Sequence, residues 1–164
     1  MAKTCRPPTE QDAAEAKRVV LEGLARGDDV PGLATQLAPL HPKNNTFPGE
    51  VLLNLGADAI DLAGASRDEP LAYEGVRERF LPECEFFGRD DRKLRYALLA
   101  VAAVRGGVEL DLLDEVIWWQ TDDLWYYALC ACVAWIRAAA DRAGLSIKIA
   151  CERLAADDGI DLGA

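Results

Sequence analysis

An uninterrupted apolar run at residues 124–136 constrains the fold of this chain more than any other feature. The run reads LWYYALCACVAWI and lies between Asp123 and Arg137. It is too short to cross a bilayer as a helix, which requires about 20 residues. A helix that is apolar on all sides must be buried on nearly all sides. The run therefore predicts a central helix that extends from a cap at Thr121 to Ala143.

Helix start and stop signals recur along the chain, whereas convincing strand patterns do not. Thr9 caps a first helix that runs to Gly27, and Pro31 opens a short second helix that ends before Pro39. Residues 38–49 contain three prolines and are predicted to form a loop. Six further helices are predicted, at about 48–65, 70–82, 90–106, 110–119 and 121–143, and from a cap at Ser146 onward.

These elements predict an all-α fold, a compact bundle of about eight helices arranged as successive helical hairpins. A chain of 164 residues suffices for a single helical domain over 1–164. The proline-rich loop leaves open a loosely attached N-terminal helical hairpin at 1–38, and residues 157–164 are predicted to form a frayed tail. Similar sequences around Tyr96 and Tyr127 leave open a duplicated hairpin over 90–156, although alanine-rich helices produce such identities by chance.

The chain carries 28 acidic and 18 basic residues, for a formal net charge of -10. Nucleic acid is therefore not expected as a partner, because phosphate contacts need clustered lysine and arginine. The N-terminus shows no apolar segment typical of a secretory signal, so we expect a cytoplasmic protein without a membrane partner. The five cysteines are scattered and odd in number, which predicts free, mostly buried thiols. No cofactor is implied.

An acidic and aromatic segment at residues 106–136 is the first candidate site. It has no basic residue, and its negative charge and aromatic rings are typical of a surface that attracts and anchors a basic protein. The candidate partner-binding residues are Asp114, Glu115, Trp118, Trp119, Asp122 and Asp123. In the alternative interpretation, the acids stabilise helix N-termini and the rings belong to the core.

A basic cluster near the start of the fifth predicted helix is a weaker candidate, for binding an anion. Its residues are Arg89, Arg92, Lys93 and Arg95. Cations at a helix N-terminus oppose the helix dipole, and a bound phosphate or carboxylate would offset that cost. The alternative is local compensation by Asp90 and Asp91, including an i,i+4 pair between Asp91 and Arg95.

Asn54, Asp58 and Asp61 form a polar stripe along the third predicted helix. Two carboxylates on one face can bind a divalent cation or act as acid and base, but a solvated helix edge explains them at a lower energetic cost. No Glu-x-x-His pair accompanies them, so no metal site is predicted. The lone histidine, His41, lies in a proline-flanked loop and is expected to have no catalytic role.

Two classes of function are compatible with these features. The first is a non-catalytic acidic helical binding protein, an adaptor or a neutralising partner of a basic protein; self-association depends on the same features. The alternative is a small enzyme or ligand-binding protein with an aromatic pocket between helices. That pocket would have walls of Trp125, Tyr127 or Trp135, with Asp58 and Asp61 at its mouth. The absence of a recognised catalytic motif favours the first class and leaves open whether the chain is an enzyme.

Overall fold

The computed structural model describes residues 9–40, 47–62, 97, 101 and 124–162. These residues contain no strand and form five α-helices together with a short 3₁₀ turn at Ala38–Leu40. The helices are α1 (Glu10–Arg26), α2 (Val30–Leu37), α3 (Phe47–Leu62), α4 (Leu124–Ala143) and α5 (Ile147–Asp157). The predicted all-α class is thus confirmed for the described residues. The arrangement of about eight helices as successive hairpins, and the duplicated hairpin over 90–156, stay predictions.

Side-chain caps fix the starts of α1 and α5, as the sequence predicts. The Thr9 hydroxyl accepts a hydrogen bond from the Asp12 N–H at 3.2 Å, and the Thr9 N–H donates to the Asp12 carboxylate at 2.9 Å. The Ser146 hydroxyl accepts from the Ile149 N–H at 3.2 Å. The first N–H groups of a helix have no partner within the helix, so these caps define where each one begins.

Glycines follow the last residues of α1 and α4 and reverse the chain. Gly27 has φ 92° and Gly144 has φ 68°, a left-handed conformation that glycine adopts without a steric penalty. After Gly144, the Leu145 N–H donates to the Ala140 carbonyl at 2.8 Å. The chain turns back through this motif, so that α5 packs against both α4 and α1.

The central helix α4 is buried over the part of the apolar run whose side chains are described. Every residue from 126 to 136 is buried, which confirms the prediction of a core helix. The most extensive packing among the described helices is between α3 and α4. Gly56 permits this close approach, because a Cβ atom there would lie 3.0 Å from Val101 Cγ1 and 3.5 Å from Cys132 Cα. Val101 and Ala97 are helical and buried, within the predicted fifth helix.

The predicted loop at 38–49 is wrong at both of its described ends. Residues 38–40 form the 3₁₀ turn, and α3 already begins at Phe47. Pro48 opens the third helix as predicted, to within one residue, because proline lacks an N–H group and the first turn of a helix needs none. For the same reason α2 begins at Val30, with Asp29 as its cap and Pro31 second. Residues 41–46 lie outside the described residues.

The helices α1 and α2 pack into the same apolar core as α4. The buried face of α1 consists of Ala16, Val20, Leu21, Gly23 and Leu24, and α1 packs mainly against α5 and also against α3. The helix α2 contacts both α1 and α4. The described part of residues 1–38 therefore belongs to one apolar cluster with α3, α4 and α5. A single domain over 1–164 stays a prediction.

Candidate functional site

The polar stripe of α3 faces away from the core. Asn54, Asp58 and Asp61 are exposed, whereas the other residues from 51 to 60 are buried. The apolar side chains of α3 pack on α4, and this contact fixes which side of the helix meets solvent. The sequence interpretation of the stripe as a solvated helix edge agrees with this exposure.

Lys17 of α1 contacts a carboxylate that lies far from it in the sequence. Its Nζ lies 3.0 Å from Asp158 Oδ2, just beyond the end of α5. The charge of Lys17 also acts on Asp58 of α3. Three segments that are distant in sequence thus bring ionised groups together on one side of the molecule.

The carboxylate of Asp58 lies within electrostatic range of three others, and we call the four residues the acidic edge: Asp58, Asp61, Asp157 and Asp158. All four side chains are exposed. Partial burial raises the pKa of Asp58, and Lys17 opposes that change, whereas the negative charges of Asp158, Asp61 and Asp157 add to it. The ionised Asp58 carboxylate is thus repelled by the other members of the acidic edge and attracted by Lys17.

The chemistry open to the acidic edge is ion pairing more than coordination. Within the described residues, no group of three or more His, Cys, Asp or Glu side chains is arranged to hold a metal ion. Lys17 already supplies a cation at hydrogen-bond distance from one of the four carboxylates. An exposed carboxylate group of this kind attracts ammonium or guanidinium groups through its field and can form charge-assisted hydrogen bonds with them.

The described part of the alternative aromatic pocket is packed as core. Tyr127 and Trp135 are 3% and 2% exposed, and the ring of Tyr127 meets that of Tyr126 edge to face with the centroids 5.9 Å apart. Asp58 and Asp61 face solvent. This arrangement weighs against a ligand pocket with those two carboxylates at its mouth. The side chain of Trp125 lies outside the described residues.

Three of the cysteines behave as small apolar side chains. Cys130, Cys132 and Cys151 are free and buried, as the sequence predicts. Burial raises the pKa of the Cys151 thiol to about 12 and raises that of Cys132 as well. Because the thiolate is the reactive form, both groups stay protonated and unreactive at neutral pH.

The sequence-predicted sites lie outside the described residues. These are the partner-binding residues Asp114, Glu115, Trp118, Trp119, Asp122 and Asp123, the anion-binding residues Arg89, Arg92, Lys93 and Arg95, and the loop residue His41. All of them stay predictions.

Neither the membership of Asp157 and Asp158 in the acidic edge nor the neighbouring position of Lys17 was predicted from the sequence. Lys17 and Asp158 are separated by 141 residues, so no local pattern connects them. The one available signal is the position of Asp58 and Asp61 on the polar side of an otherwise apolar helix.

Comparisons with known proteins give no family for this chain. None of the helices within residues 9–40, 47–62 and 124–162 is long and apolar enough to span a membrane. Searches against protein-family profiles, curated proteins and solved structures found no significant match.

Proposed function

We propose that this chain is a non-catalytic acidic helical binding protein whose partner is a basic protein. It would act as an adaptor or as a neutralising partner. The observation that carries the proposal is the acidic edge, where the charges of Asp61, Asp157 and Asp158 act on the exposed carboxylate of Asp58, on a chain of net charge -10. A field of this sign accelerates encounter with a basic surface and disfavours acidic competitors.

The surroundings of the acidic edge suit contact with lysine or arginine side chains. Leu62, Ile160 and Leu162 are partly buried apolar residues that neighbour its carboxylates in sequence. Lysine and arginine carry apolar stems as well as charged groups, so a surface with carboxylates and apolar atoms can bind both parts. This supports a protein partner over a simple inorganic cation.

The predicted partner-binding residues between 114 and 123 are the second contact region in this proposal. Trp118 and Trp119, with the acidic residues near them, would anchor the partner that the charge attracts, because indole side chains supply much of the binding energy at protein interfaces. The acidic edge then governs the rate of association, and the tryptophans govern the lifetime of the complex.

Binding of a fluorescent lysine-rich peptide, measured by anisotropy at low and high salt, tests the proposal. We expect binding at low salt that weakens as salt screens the charges, and no binding of a glutamate-rich peptide. The double variant Asp61→Asn/Asp157→Asn should weaken binding by about three- to tenfold, as expected for two partly exposed ion pairs.

The matched control is Glu10→Gln/Glu152→Gln, which removes the same charge from exposed positions outside the acidic edge. It should change the affinity less than about twofold. An equal loss in both double variants would show that net charge alone attracts the peptide and would contradict a local site. Failure of the wild-type protein to bind the lysine-rich peptide at low salt would contradict the proposed function itself.

A further inference from the structure

The chain folds back on itself directly after α5. Gly159 has φ 67°, its N–H donates to the Ala156 carbonyl at 3.1 Å, and the Ile160 N–H donates to the Ala155 carbonyl at 2.8 Å. This pair of hydrogen bonds closes the helix end and directs the following residues toward the core. Ile160 and Leu162 are partly buried and pack on the apolar cluster. We call residues 158–162 the C-terminal strap.

A charged contact ties the C-terminal strap to the first helix. Asp158 accepts a hydrogen bond from Lys17 Nζ at 3.0 Å, and the two side chains keep 32% and 18% of their surface exposed. Lys17 lies on α1, whose main described packing partner is α5. The ion pair thus joins the strap to the helix against which α5 packs.

Electrostatic repulsion acts against this contact. Asp157 and Asp158 lie beside and in the strap, and their negative charges act on Asp58 of α3, as does that of Asp61. Like charges at short range favour separation, and the ammonium group of Lys17 offsets that tendency. Two partly buried apolar side chains and a partly exposed ion pair thus contribute to holding the strap.

We infer that the C-terminal strap is a releasable cover, closed by the Lys17–Asp158 ion pair, which opens as a unit while the helices beneath it stay folded. Segments with few buried contacts and solvent-exposed hydrogen bonds open at a lower free energy than the core does. Opening exposes the apolar surface on which Ile160 and Leu162 lie. This inference does not depend on the identity of a partner.

Hydrogen exchange on the full chain tests the inference, because the Ile160 N–H is protected by its bond to Ala155. In Lys17→Met, which removes the charge but keeps an apolar stem, we expect exchange at Ile160 to be about fivefold faster, and exchange at Trp135 in α4 to be unchanged. The variant Lys17→Arg should keep the wild-type rate, since it preserves the cation. Asp158→Asn should give a smaller increase, because it removes repulsion together with the ion pair.

The matched control is Lys148→Met, the same charge loss at an exposed lysine in the first turn of α5. It should leave exchange at Ile160 unchanged. Three results would overturn the inference. They are an unchanged rate at Ile160 in Lys17→Met, an equal increase in Lys148→Met, or a parallel increase at Ile160 and Trp135, which would mean that the whole fold opens.

Discussion

The central helix α4 and the acidic edge differ in how their structure is encoded. In α4 a continuous stretch of chain carries the information, because residues that are apolar on every side can only be buried. At the acidic edge, α1, α3 and the end of α5 each contribute one or two charged groups, and no stretch of sequence contains the set. The burial of α4 therefore follows from a local pattern, whereas the acidic edge arises only from tertiary packing.

The largest expected effect concerns the buried helix α4, whose burial follows from a local sequence pattern. Trp135→Ala removes a large side chain that is 2% exposed at the centre of the core. We expect it to lower the free energy of unfolding by about 3–5 kcal/mol, measured by urea denaturation. The control Ile149→Ala, at a residue that is 43% exposed, should change it by less than about 0.5 kcal/mol. Similar losses in both variants would contradict the central role of α4.

The second prediction concerns the close approach of α3 to its neighbours. Gly56→Leu forces a side chain into contact with Val101 and the backbone of Cys132, and should destabilise the fold by about 1–3 kcal/mol or more. Ala14→Leu places the same side chain on the exposed face of α1 and should be nearly neutral. Thermal unfolding of both variants measures the difference. A neutral Gly56→Leu would show that the packing at this point is loose.

The smallest expected effect concerns the acidic edge and the contribution of Asp58 to the pH dependence of stability. Partial burial raises the pKa of Asp58, so the folded state binds the proton more tightly than the unfolded state does. Stability should then fall as the pH rises from about 3.9, the ordinary aspartate pKa, through the higher folded value. Asp58→Asn should be more stable than the wild type at pH 7, by less than about 0.5 kcal/mol, and should lose this advantage below pH 4. Denaturation across that pH range tests the sign, because a less stable Asp58→Asn at pH 7 would mean that attraction to Lys17 outweighs desolvation.

Sequence patterns predicted the features of the described fold that depend on near neighbours. Thr9 and Ser146 mark helix starts and Gly144 marks a helix end, because each acts on backbone groups within a few residues. Pro48 marks the start of α3 to within one residue, because proline fits the first turn of a helix, where its missing N–H group costs nothing.

The candidate site was only partly predictable for the same physical reason. The exposed stripe of Asp58 and Asp61 follows from helical periodicity. Its proximity to Lys17 and Asp158 depends on how α1 and α5 pack, and that packing has no signature in a single sequence.

The packing of α1 has a consequence for the order of events during synthesis on the ribosome. Among the described helices, α1 is covered chiefly by α5, which is translated more than 100 residues later, as the 141-residue separation of Lys17 and Asp158 illustrates. At about 5–20 residues per second, roughly 7–28 s separate the synthesis of Lys17 from that of Asp158. Until α5 has been made, α1 can pack only against α2 and α3 among its described partners, so part of its apolar face stays exposed on the nascent chain.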